Sequence, residues 1–180
     1  VDSHSPSFAA KIYKSYLLCA AEVIADQGGV ITAYAGDRVM GVFMGQEKEI
    51  NAVKAALSIN YTLDYLINYE CKKFYPKDYL LKHTVGIDTS ELHVTRIGTP
   101  YASDLVWIGR AANYAAKISD LDQPHSVLIT ADVYDKLNWM LYDKSIWTQR
   151  KWRNIDIYST DYCQLNNLGV LLNQQPIDIQ

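Results

Sequence analysis

The sequence predicts an α+β domain in which helices pack on an antiparallel-rich sheet. Three observations predict it. Residues 7–26 and 50–73 carry apolar side chains at helical spacing. Between them, two short runs rich in β-branched and aromatic residues flank Gly36-Asp37, the composition of a hairpin. Further on, short apolar runs alternate with two shorter helical patterns. With 180 residues, 49% of them hydrophobic and 21% charged, the chain can build one domain with a real core.

The first helix is expected over 7–26, where Phe8, Ile12, Tyr16, Ala20 and Ile24 recur on one side. Pro6 precedes it and Gly28-Gly29 ends it. The hairpin covers 30–44, and a second long helix runs from Ile50 to about Lys73, with Ile50, Val53, Leu57, Tyr61 and Tyr65 on one side. Pro76-Lys77-Asp78 is a loop. Strands follow at 81–88, 92–97 and 105–108, then a helix at 110–121 and a strand at 126–129. A short helix at 131–137 has Thr130 in N-cap position, and 147–151 and 155–159 form a closing strand pair. The domain is drawn over residues 1–162. Residues 163–180 form a C-terminal extension that turns Asn/Gln-rich and reads as an arm over 166–180.

Several classes of function are disfavoured by composition. A net charge of −3 is unlike the basic face of a general nucleic-acid binder, and no Lys/Arg-Gly-Phe signature lies on a strand. The 14 tyrosines are spread along the chain rather than gathered as a stacking platform. Cys19, Cys71 and Cys163 are distant and odd in number, which reads as reduced, mostly buried thiols of a cytoplasmic protein. No apolar run reaches the roughly 18 residues of a membrane span. The expectation is a protein with neither a nucleic-acid nor a membrane partner.

The chemistry begins at Asp37. A carboxylate at the tip of a rigid hairpin can hold a divalent cation near a phosphate chain, or it can simply form the turn. Residues 84–118 add to this. They contain Gly86-Ile87, Ile97-Gly98 and the helix start Ile108-Gly109-Arg110-Ala111-Ala112-Asn113-Tyr114-Ala115-Ala116-Lys117. In this order and spacing, with Gly28-Gly29 and Gly36-Asp37 upstream, residues 6–160 resemble a class III nucleotide cyclase catalytic domain. That resemblance implies a ferredoxin-like βαββαβ core. It also implies a homodimer with shared active sites and two divalent ions, Mg²⁺ or Mn²⁺.

Residue by residue, Asp37 matches the family's second metal aspartate. The first is expected before Val1, with the first strand. Asn113 matches the ribose-orienting asparagine. Lys117 stands where the family has a transition-state arginine; it keeps the charge and loses the bidentate fork. Arg96 and Arg110 are candidates to supply the missing cation, or are structural charges. Arg110 replaces the aspartate usual after Ile-Gly. Lys151 matches a lysine for the terminal phosphates.

The base-reading positions depart from the purine cyclases. Adenylate cyclases use a lysine four residues before the metal aspartate and an Asp or Thr seven before the asparagine; guanylate cyclases use Glu and Cys. Here those positions are Ala33 and Val106, which cannot read a purine edge. Tyr34 and Trp107 stand beside them and are expected to crowd the pocket towards a pyrimidine, or to be plain core aromatics. The pattern looks like the pyrimidine cyclases of bacterial Pycsar anti-phage systems. The implied activity converts CTP, or UTP, to the 3′,5′-cyclic nucleotide and pyrophosphate for a downstream effector. Two other readings stay open: a degenerate cyclase-like domain that binds nucleotide without turnover, and a purine cyclase with atypical base-reading residues.

Overall fold

Helix α1 (Pro6–Asp26) leads into the hairpin of β1 (Val30–Ala35) and β2 (Arg38–Val42). The computed structural model describes residues 6–74, 80–99, 101–121, 126–137 and 143–164. The loop at 76–78 and the arm at 166–180 lie outside these. The chain divides into two compact units, residues 1–82 with 163–180, and residues 83–162.

In the first unit, α2 (Lys48–Thr62) passes through a wide π turn (Leu63–Ile67) into α3 (Asn68–Phe74). The single long helix expected from the periodicity is thus interrupted by a π bulge. Just after the bulge, the buried Asn68 amide donates to the Leu81 carbonyl at 3.0 Å and accepts the Leu81 N–H at 2.9 Å. These bonds occupy the backbone of Leu81, so the strand expected from 81 starts only at Val85. Ala20, Val23 and Ile24 of α1 pack with Ala55 and Ile59 of α2 under Ile31, Val39 and Phe43 of the hairpin. A second cluster joins Ile12 and Cys19 to Leu63, Ile67 and Cys71. Cys19 and Cys71 are free thiols, and burial, helped by Glu22, pushes the Cys19 thiol up to about 11.

In the second unit, a four-stranded sheet has the order β3-β6-β8-β7, from β3 (Val85–Ile87), β6 (Val127–Thr130), β7 (Thr148–Trp152) and β8 (Ile155–Thr160). β3 and β6 run parallel; the other pairs are antiparallel. The unbroken apolar run Val127-Leu128-Ile129 marks β6 as a central strand, and all three side chains are buried. Helix α4 (Arg110–Ser119) packs on β3, with Ile118 against Leu128 and Ile157.

A separate hairpin joins β4 (His93–Thr99) to β5 (Ala102–Ile108). It extends past the apolar stretch that marked it in sequence, pairing out to Thr99 and Ala102. Both of its faces carry exposed residues, so the polar Ser103 and Asp104 continue the ladder at no burial cost. Thr130 does stand at the N-cap of α5 (Ala131–Tyr134), but its hydroxyl makes no cap bond and donates instead to Asp88. The α+β class and the antiparallel-rich sheets agree with the sequence reading.

Candidate active site

Asp37 occupies the second place of the two-residue turn between the paired Ala35 and Arg38. Gly36 comes first with φ +62°, the requirement of a type II′ hairpin turn. The Asp37 side chain is 63% exposed, and the Arg38 Nε lies 4.0 Å from its Oδ1. Below it, Tyr16 has its phenol pKa raised, first by burial and then by the charge of Asp37. The turn constrains the backbone, while the carboxylate itself points into open surroundings.

Ala33 and Tyr34 fall on opposite faces of this hairpin. A bulge between Ile31 and Ala33 shifts the alternation, so Tyr34 pairs with Val39 on the α1 side and Ala33 pairs with Met40 on the reverse. The β4–β5 hairpin separates its pair in the same way. Val106 sits opposite Thr95, while Trp107 shares the other face with Val94, Arg96 and Leu105. Within each hairpin, the aromatic ring therefore does not crowd the face that its small neighbour presents. Neighbouring positions in a regular strand point to opposite faces.

Asn113 and Lys117 stand one turn apart on α4, and both are exposed. Gly86 sets the position of the helix. A Cβ there would lie 2.1 Å from the Ala115 carbonyl oxygen and 2.8 Å from Ile118 Cγ1. Only a glycine lets the helix backbone approach β3 this closely.

Arg110, the first residue of α4, is held by three neighbours. Its Nε lies 3.2 Å from Asp88 Oδ2, and its Nη2 donates to the Thr89 carbonyl at 2.7 Å and to Asp132. The Asp88 side chain is completely buried and also accepts from Thr130 Oγ1 at 2.5 Å. Lys151 pairs with Asp156 across the β7–β8 hairpin at 2.9 Å, which lowers the Asp156 pKa. Asp88, Asp132 and Asp156 did not stand out in the sequence. Their only signal is an acid near a strand end or in a turn, which chains carry in abundance.

Asp37 is a hard oxygen donor of the kind that Mg²⁺ or Mn²⁺ takes. Among the described residues no three His, Cys, Asp or Glu side chains gather as a metal-binding group. A single exposed carboxylate still fits an ion that arrives with a triphosphate, because Mg²⁺ is commonly held by one or two carboxylates and the substrate's phosphates. No helix among the described residues is long and apolar enough to cross a membrane.

No family model matches the chain. Among curated proteins, it is 45% identical over 162 residues to a uridylate cyclase of Burkholderia cepacia, covering 88% of this chain and 70% of that one. It is 43% identical over 173 residues to a uridylate cyclase of Xanthomonas perforans, covering 90% and 73%. Among solved structures, the guanylyl cyclase Cya2 superposes with a TM-score of 0.77 at 17% identity, over 93% of this chain and 87% of that one. The adenylyl cyclase CyaB from P. aeruginosa gives 0.69 at 20%, over 88% and 83%. At these identities the solved structures establish the fold. The curated relatives establish the family: the chain belongs to the class III nucleotide cyclases.

Proposed function

We propose that the protein converts UTP to 3′,5′-cyclic UMP and pyrophosphate. The 45% identity to a protein named uridylate cyclase carries this reading. Ala33 and Val106 support it, since neither offers the buried hydrogen bonds with which purine cyclases read their base. UTP is preferred to CTP on the relatives alone. In the reaction the ribose 3′-oxygen gives its proton to solvent and bonds to the α-phosphorus. The bond from that phosphorus to the bridging oxygen of the β-phosphate breaks, and pyrophosphate leaves. Catalysis of this kind is positioning and electrostatics.

The residues divide the work as follows. Asp37 would hold a divalent ion, which supplies neutralisation of phosphate charge. The Asn113 amide orients the ribose, and the Lys117 ammonium faces the developing charge as a point cation. Lys151 takes the terminal phosphates after releasing Asp156. Arg96 stays a candidate for the second cation. In a symmetric dimer, Asp37 of one copy meets Asn113 and Lys117 of the other. The product serves a cytoplasmic effector in defence against phage.

Incubation with each of the four nucleoside triphosphates and Mn²⁺, followed by mass identification of products, tests this proposal. Cyclic UMP as the main product is expected. Cyclic CMP, cyclic AMP or cyclic GMP as the main product contradicts the substrate assignment, and no product with any of the four favours a degenerate nucleotide-binding domain.

A further inference from the structure

Arg110, Asn113, Tyr114 and Lys117 share one face of α4, three and four residues apart. At the start of that face, the Arg110 guanidinium is held by Asp88, just past the end of β3, and by Asp132, in the first turn of α5. The Ala111 N–H donates to Ser90 Oγ at 3.0 Å, which ties the same turn to the chain after β3. Farther along, the Arg110 guanidinium lies over the Tyr114 ring at 5.6 Å, and Tyr114 meets Trp152 edge to face at 5.2 Å. The other end of the helix rests on Gly86.

A cation neutralised by two carboxylates, one of them wholly buried, is a poor phosphate ligand. It is a good anchor, because a planar guanidinium fixes direction as well as distance. The position is the one where cyclases of this class usually carry an aspartate. Here the charge is inverted, and Asp88 and Asp132 supply the counter-charge.

We propose that Arg110 is a positioning residue: clamped between Asp88 and Asp132, it fixes the first turn of α4 and so sets where Asn113 and Lys117 meet the substrate. This rests on the roles given above to Asn113 and Lys117. Displacing a catalytic group by about 1 Å costs up to roughly 100-fold in rate. Loss of groups that act in the transition state lowers kcat rather than raising KM.

Three variants test the proposal: Arg110→Gln, Arg110→Lys and Asp132→Asn, the last at an exposed side chain. Each is assayed for kcat and KM with UTP, and each is mixed with Asp37→Ala or with Asn113→Ala. For Arg110→Gln, kcat should fall roughly 10- to 100-fold with KM within about twofold. Arg110→Lys should restore part of the loss, and Asp132→Asn should show a smaller fall of the same kind. Mixing Arg110→Gln with Asp37→Ala should recover activity, because the mixed dimer holds one site with an intact carboxylate and an intact α4. Mixing it with Asn113→Ala should not, because both lesions lie on α4.

Unchanged kcat in a folded variant overturns the proposal, as does a rise in KM alone, or recovery with Asn113→Ala. If Arg110→Gln does not fold, Asp132→Asn decides on the same readouts. The control mixture of Asp37→Ala with Asn113→Ala separates the two failures. If it does not recover activity, the shared-site reading fails; if it does while Arg110→Gln sorts differently from Asn113→Ala, only the positioning role fails.

Discussion

Asp37 stands where the fold asks nothing of its carboxylate. The turn is made by the backbone of Gly36, and the acid is mostly exposed beside Arg38. Asp37→Ala should therefore abolish turnover and leave thermal stability within about 0.5 kcal/mol of the parent. Activity assays beside melting curves check this; retained activity removes the residue from the reaction. His83 gives the opposite kind of expectation. Burial pushes its imidazole down to about 4, against the pull of Asp161. The folded chain then refuses a proton that the unfolded chain accepts below about 6.5. Stability is complete above that pH and is lost as pH falls towards 4, by roughly 1–2 kcal/mol at pH 5. His83→Gln should flatten the fall in melting temperature between pH 7 and pH 5. At this scale the sequence revealed residue types at motif positions, because turn and helix-start chemistry is local. It did not reveal that Arg110 is already engaged, since Asp88 and Asp132 each lie 22 residues away.

At the scale of elements, α4 and its seat on β3 carry the account. The motif Gly86-Ile87 was visible as a pattern, and the structure supplies its reason in the contact with Ala115 and Ile118. Gly86→Ala should cost about 1–3 kcal/mol or more, because the nearest atom is backbone and cannot rotate away. It should also depress activity by shifting α4. Equilibrium unfolding and kcat measured on the same preparation check both. The order and kind of elements were legible because hydrophobic period is a strong signal. The faces of the hairpins were less so. One bulge near Thr32 reverses the alternation, so which of Ala33 and Tyr34 lies on the α1 side could not be assigned without the register. The π turn at Leu63–Ile67 was equally hidden, since it leaves the apolar spacing of the long helix nearly intact.

At the scale of the whole molecule, Asp37 belongs to one compact unit and Asn113 and Lys117 to the other. The family resemblance implies that the two copies share their sites, whereas residue patterns within one chain do not show this, because it is a property of an assembly. The proposed answer is a symmetric dimer whose two sites each draw on both copies. Mixing inactive variants measures this directly. Asp37→Ala and Asn113→Ala should each be inactive on UTP and, mixed in equal amounts and allowed to exchange subunits, should recover about a quarter of the parent activity, since half the dimers are mixed and each holds one intact site. A mixture that stays inactive, with subunit exchange demonstrated, contradicts the account.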